Sequence, residues 1–249
     1  MLSHLTVDVL EFLRNGPLGP ANRPRLPAME PAPAALFPAV PMSESLRALA
    51  VRGRVQRYPK DMLLIQEGDR SDSLYIVLSG RVKAFSTDER DREITYGTYG
   101  PGEYLGEMSL DGGPRSASVM TLEPTRCVVV TRHTLREHIA ADPEFAFELL
   151  ERVIRRARVL TDNARSLALL DVYSRLVKEL NARATTAAAT TSHDCRRVIS
   201  PKPTHQELAS RVGASREMIS KLMKDLERGG YVVVEGRTLV IERSLPSSW

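Results

Sequence analysis

The most constraining feature of the chain is an abrupt change of hydrophobic period near Asp142. Upstream, from about Leu46 to Thr134, apolar residues come in short runs: Met62–Ile65, Leu74–Leu78, Arg81–Phe85, Ile94–Tyr96, Ala117–Leu122 and Cys127–Val130. Glycines at 68, 80, 100, 102, 106, 112 and 113 punctuate them, where turns often need positive φ. Runs so short and so often broken predict the strands of a β-barrel or jelly roll. Downstream, Ala146, Leu150, Val153, Ala157, Leu160, Ala164 and Leu167 recur at alternating spacings of four and three, a seam kept for three heptads. Strands in one block and helices in the next give an α+β chain.

The predicted long helix starts near Asp142-Pro143, with Asp142 placed to cap it and proline suited to the first turn. Such a helix can lie on its own domain's core or pair with a second copy. A strict 3.5-residue period, flanked by Arg155, Arg156, Arg158 and Arg165, favours the two-stranded coiled coil of a homodimer. A break is expected at Leu170-Asp171, where Asp171 can cap a second helix running through Lys178 to Ala184. The Ala/Thr stretch from Ala184 to Thr191 reads as a loop.

Half of the 16 prolines fall before residue 42, which predicts a flexible extension of about forty residues rather than helix or sheet. A short amphipathic helix at Leu5–Leu13 is the alternative to a solvated tail there. Charge is unevenly spread. Residues 170–249 hold 13 Lys and Arg against 9 Asp and Glu, whereas the first 169 residues balance. All of the net +4 therefore lies in the last third, as expected of a part that meets a polyanion. The two cysteines, Cys127 and Cys195, cannot build a four-cysteine metal site or suggest a secreted disulfide scaffold. No apolar run approaches the roughly 18 to 20 residues of a membrane helix, and the N-terminus lacks a signal-peptide pattern. The expectation is a cytoplasmic protein with no membrane contact and no metal or covalent cofactor.

The segment Thr204–Leu226 is the most informative in the chain. Leu208 and Val212 stand one turn apart, Ala209 is small enough for a close helix crossing, and Gly213 suits a left-handed turn. Ser215 can cap a second helix whose buried face is Ile219, Leu222, Met223 and Leu226. This is the pattern of a helix-turn-helix. Its outward face offers Arg216, Glu217, Ser220, Lys221 and Lys224 to a DNA groove. Arg216 and Lys221 can donate to guanine, and Glu217 can accept from cytosine. Thr204 and Ser215 begin helices, where hydroxyls and backbone N–H groups can hold phosphates. Tyr231–Ile241, turning at Glu235-Gly236, reads as a hairpin wing. A small helical domain with a merely solvated charged face is the alternative.

Within the β-rich part, Gly106-Glu107 is followed eight residues later by Arg115-Ser116, after a glycine turn. A guanidinium, a hydroxyl and free backbone N–H groups make an anion cradle, and a nearby carboxylate can accept from a sugar hydroxyl. The alternative is that Glu107 and Arg115 simply pair with each other at a barrel rim.

Taken together, these residues resemble the CRP/FNR transcription regulators. The resemblance covers roughly Leu46 to Glu242. It is carried by Leu74–Gly80, Leu105-Gly-Glu-Met108, Arg115-Ser-Ala117, Leu167–Val172 and Val212–Glu217. It implies an N-terminal cyclic-nucleotide-binding β-roll over 43–141 after an extension over 1–42, a dimerisation helix over 142–170, and a winged helix-turn-helix over 171–249. It further implies a cytoplasmic homodimer that binds a palindromic site in double-stranded DNA and works with RNA polymerase. In cyclic-AMP-binding members Glu107 would hold the ribose 2′-hydroxyl and Arg115-Ser116 the cyclic phosphate, with Gly106 and Met108 lining the pocket. The pair that meets adenine, one residue from each subunit, aligns with Leu160 and Thr161. Leu160 replaces a polar contact, so cyclic AMP, cyclic GMP and cyclic di-GMP all stay open as effectors. Lys221 stands where arginine is usual, which loses bidentate geometry at guanine. Two other functions compete with this reading: a DNA-binding regulator that ignores ligand, and a cyclic-nucleotide-regulated enzyme subunit.

Overall fold

The computed structural model describes residues 30–31, 40–186 and 196–246. The Leu5–Leu13 segment, most of the proline-rich extension and residues 187–195, Cys195 among them, lie outside the described residues.

The extension is not wholly without sheet. Its strand β1 (Glu30–Pro31) pairs antiparallel with Arg54 and Val55 of β2 (Arg54–Tyr58). It is the outermost strand of its sheet, the position at which a proline is tolerated. Helix α1 (Glu44–Val51) lies between these two strands in the chain. Its start is fixed by Ser43, which accepts the Leu46 N–H at 3.1 Å.

Seven further short strands complete the N-terminal half. They are β3 (Leu63–Ile65), β4 (Leu74–Ser79), β5 (Val82–Thr87), β6 (Glu93–Tyr99), β7 (Tyr104–Leu105), β8 (Ser118–Thr121) and β9 (Thr125–Val130). All pair antiparallel in two sheets, ordered β1-β2-β9-β4-β7 and β3-β8-β5-β6. Between the sheets lies one core, with Tyr58, Ile65, Val77, Val82, Leu105, Val119 and Cys127. Cys127 is fully buried there, and burial pushes its thiol up to about 12. A second core covers the outer face of the first sheet with Leu46, Leu49, Leu135 and Phe145.

The helical half departs from expectation at its entrance. A separate helix, α2 (Arg132–Ala141), precedes the long one and is capped by Thr131. Asp142 ends α2 instead of capping its successor, and its carboxylate accepts from the Ser45 hydroxyl. The long helix α3 (Glu144–Leu169) begins at Pro143 with no side-chain cap. Phe145 is its one buried residue, edge-on to His138 at 5.0 Å. Beyond it Phe147, Leu150, Ile154, Leu160 and Leu167 stay exposed, Leu150 by 53%. A helix lying on its own core would have hidden these side chains.

The break falls where expected. Leu170 is extended, and Asp171 accepts the Ser174 N–H at 2.7 Å to cap α4 (Val172–Arg183). The C-terminal unit then adds β10 (Thr185–Thr186), β11 (Arg197–Ile199), α5 (His205–Val212), α6 (Arg216–Arg228), β12 (Val232–Glu235) and β13 (Thr238–Ile241). Thr185 and Thr186, expected in a loop, instead pair with Val198 and Arg197 of β11, a partner that local composition does not reveal. The sheet runs β10-β11-β13-β12, and the unit's own core gathers Leu176, Leu180, Leu208, Val212, Ile219, Met223, Leu226 and Leu239. Among the described residues no helix is long and apolar enough to cross a membrane.

Candidate anion pocket and nucleic-acid interface

The cradle residues converge at one end of β7. Gly106 follows it at φ +95, a left-handed conformation that leads into a single helical turn over Glu107–Ser109. A Cβ at Gly106 would lie 2.5 Å from Arg115 Nη1 and 2.6 Å from the Ser73 carbonyl oxygen. Glycine is therefore required twice, for its dihedral and for the space the guanidinium fills.

Arg115 is 4% exposed and does not pair with Glu107. Its Nη1 donates to Gly106 O at 3.0 Å and Ser109 Oγ at 2.8 Å. Its Nη2 donates to Ser71 Oγ at 2.9 Å and Ser73 O at 2.7 Å. Four of its five donors are thus spent on neutral acceptors, and the buried Nε has no partner. Burial pulls this guanidinium below its ordinary value, against the opposing pull of Tyr75, Asp72 and Glu107. The N–H at Nε is thus left without a partner, and no carboxylate forms an ion pair with the guanidinium among the described residues.

Glu107, 6% exposed, is bound elsewhere. Its Oε1 accepts from Arg156 of α3, while its buried Oε2 has no partner. Arg156 also donates to Tyr104 O and stacks over the Tyr99 ring at 4.6 Å. The rim-pair alternative is thereby removed: the two cradle charges do not satisfy each other.

These groups line a cavity of about 710 Å³ between the roll and α3. Gly106, Glu107, Met108, Arg115, Ser116 and Leu160 all line it, with Ser116 exposed and Met108 half exposed. Thr161 does not. It is exposed, and its hydroxyl donates back to Ala157 O at 2.9 Å, so this chain brings only Leu160 of the expected pair to its own cavity. Four lining arginines of the long helix and the winged unit, Arg152, Arg155, Arg156 and Arg211, were missed as site residues from sequence. For two of them a signal existed: Arg152, Arg156 and Leu160 stand four residues apart, on one face of the helix.

The helix-turn-helix has the expected local chemistry. Thr204 accepts the Glu207 N–H at 3.1 Å, Gly213 is left-handed at φ 69, and Ser215 accepts the Met218 N–H at 3.2 Å. Ile219, Met223 and Leu226 are buried, Leu222 partly so. Met218, on the outward side of α6, is 44% exposed. Arg216, Glu217 and Lys221 are exposed there and line a shallow groove with Ser220, Lys224 and Arg228. Ser220 is held by His205 Nδ1 at 2.8 Å, which joins the two helices and half-buries the histidine. The wing turns at Gly236, whose φ is 59, between paired Glu235 and Thr238.

Residues 55–142 match the family model for the cyclic nucleotide-binding domain, and residues 172–244 match that for the Crp-like helix-turn-helix domain. A CRP-like cAMP-activated global transcriptional regulator of Mycobacterium tuberculosis is 33% identical over 220 residues, covering 86% of this chain and 94% of the relative. The chain belongs to the CRP family of transcription regulators. It is accordingly a DNA-binding transcription regulator with a cyclic nucleotide-binding domain. The cAMP-activated global transcriptional regulator CRP of Salmonella typhimurium is 29% identical over 189 residues, 75% of this chain and 89% of that protein. Among solved structures, the c-di-GMP responsive global regulator CLP of Xanthomonas campestris superposes with a TM-score of 0.69 at 26% identity. It covers 80% of this chain and 98% of that one. The relatives are regulators rather than enzymes, which leaves the enzyme-subunit alternative without support.

Proposed function

We propose that this regulator is a cytoplasmic homodimer whose affinity for a palindromic DNA site is set by a cyclic nucleotide bound between the β-roll and α3. The observation that carries the reading is a pair of buried, unpartnered polar atoms, Arg115 Nε and Glu107 Oε2, on residues that line one cavity. An anionic phosphate suits the first and a ribose hydroxyl donor the second. Ser116 would add its hydroxyl to the phosphate, Gly106 and Met108 would shape the wall, and Leu160 would face the base. Thr161 would enter only from a second copy.

The exposed apolar stripe of α3 supports the dimer, since each leucine buried across a seam contributes about 1.5–3 kcal/mol. Arg216, Glu217 and Lys221 would read bases, with Thr204, Ser215 and Ser220 at phosphates. Pivoting at Leu170-Asp171 would then set two recognition helices roughly 34 Å apart, one turn of DNA. RNA polymerase is the expected further partner.

Cyclic AMP is the first candidate effector, because the M. tuberculosis and S. typhimurium relatives are described as cAMP-activated. Cyclic di-GMP follows from the X. campestris regulator. A second reading, ligand-independent DNA binding, draws on Arg156, which already occupies one oxygen of Glu107. Calorimetric titration of the full chain with cyclic AMP, cyclic GMP and cyclic di-GMP separates the two. Tight binding of one nucleotide, abolished by Arg115→Ala and weakened by the gentler Ser116→Ala, is expected. No binding by any, with equal promoter affinity in their presence and absence, would establish the second reading.

A further inference from the structure

The winged unit does not hang free of the roll. Helix α5 lies along β6, and two adjacent residues of the helix hydrogen-bond across the contact. Ser210 accepts from the buried Thr95 hydroxyl at 3.2 Å, and Arg211 Nη2 donates to Thr98 Oγ1 at 2.9 Å. Strand β6 is also a wall of the nucleotide cavity, to which Thr98 and Tyr99 contribute. Arg211 lines the cavity beside them. A residue of the DNA-binding unit therefore belongs to the same cavity as Arg115 and Glu107.

Arg211 is half-buried, and among the described residues it pairs with no carboxylate. The acidic groups that act on it, Glu179 and Glu207, are both held by Arg183, at 2.5 and 2.7 Å. Its hydrogen bond goes to a neutral hydroxyl. Burial pulls its guanidinium below the ordinary value, the response of a cation that lacks an anion. The cavity as a whole has five arginines, 115, 152, 155, 156 and 211, against the carboxylates of Glu103 and Glu107.

We propose that Arg211 is an effector-binding residue supplied by the winged unit, so that the nucleotide anion held at Arg115 also engages α5. The proposal rests on the cavity being the nucleotide site. It makes the ligand a direct bridge between the roll and the first helix of the helix-turn-helix. Ligand affinity then depends on whether α5 is docked on β6, and by linkage the ligand shifts the docked population by the same factor. Nucleotides carrying a second phosphate that extends toward β6 gain the most.

The test uses the full-length chain, with cyclic AMP, cyclic GMP and cyclic di-GMP titrated into wild type, Arg211→Gln, Arg211→Lys and Ser116→Ala. Whichever nucleotide binds wild type should bind Arg211→Gln about ten-fold more weakly, the size of one charge-assisted hydrogen bond. Arg211→Lys, which keeps the charge, should stay within about three-fold. That rescue distinguishes ligand contact from a packing role. Should Arg211→Gln misfold, Thr98→Val releases the guanidinium from the roll side and is expected to weaken binding about three-fold. Unchanged affinity in Arg211→Gln, or in Thr98→Val where that carries the test, while Ser116→Ala weakens binding, overturns this inference alone. Failure of every nucleotide to bind wild type overturns the cavity reading and this inference together.

Discussion

Gly106, which lines the cavity, and Gly112, which does not, share the same φ but meet different surroundings, which makes a clean comparison. Gly106 and Gly112 both sit at φ +95. Alanine at either position incurs the left-handed strain of an L-residue, about 1–2 kcal/mol. At Gly112 the added Cβ meets nothing closer than Arg132 Nη1 at 3.8 Å, so the strain is the whole cost. At Gly106 it would lie 2.6 Å from the Ser73 carbonyl and 2.5 Å from Arg115 Nη1. Relief requires backbone movement or loss of Arg115 hydrogen bonds, adding about 1–3 kcal/mol. Gly106→Ala should therefore cost about 2–5 kcal/mol and Gly112→Ala about 1–2 kcal/mol. At roughly 2–4 °C per kcal/mol for a chain of this size, the first lowers Tm by about 4–20 °C and the second by about 2–8 °C. Differential scanning calorimetry measures both, and nucleotide titration on the same samples should show a loss confined to Gly106→Ala. Equal Tm losses with equal nucleotide affinity would refute the claim that Arg115 fills the space a side chain at 106 would need.

Replacing Leu150 and Leu160 together by Glu should break the dimer: the two protomers bring four such leucines, each about half exposed in one copy, which together contribute about 3–6 kcal/mol, or roughly 10²- to 10⁴-fold in dissociation constant. Sedimentation equilibrium would reveal a monomer, and a persistent dimer would place the interface elsewhere. On DNA, Arg216→Ala should weaken the specific site about 10- to 100-fold and relax preference at one base pair. Lys224→Ala should weaken all duplexes alike and lower the salt slope by about 1, both read by fluorescence anisotropy. Stability should fall as pH drops below about 6.5. Burial lowers the pKa of His138 and, with help from Lys202, that of His205, so both remain neutral in the folded chain at pH values that protonate them once unfolded. The unfolded state then binds more protons, and stability rises with pH through the window beneath the ordinary histidine value. Urea midpoints at pH 5.5 and 7.5 should differ less in a His138→Asn, His205→Asn double variant.

Much of the architecture was legible because its causes are local. The caps at Asp171, Thr204 and Ser215 each hold an N–H three residues ahead, and Gly213 bends within its own turn. Such contacts follow from residue type and spacing alone. The misread entrance to α3 shows the limit of that logic. Asp142 has the right chemistry for a cap, but α1 presents Ser45 to its carboxylate from 97 positions away.

The sequence by itself determined the periods, the helix-turn-helix, the apolar stripe of α3 and the residue types that can hold a phosphate. Tertiary structure decided how those residues are used. It turned the Arg115 fork inward onto Ser71, Ser73, Gly106 and Ser109, leaving one N–H free. It gave Glu107 to Arg156, 49 residues away, and set Arg211 against Thr98 across 113. Cavity contacts of that reach depend on which surfaces the sheets and helices present to one another. A side chain's neighbours in sequence are chosen by covalent geometry, whereas its neighbours across a cavity are chosen by packing.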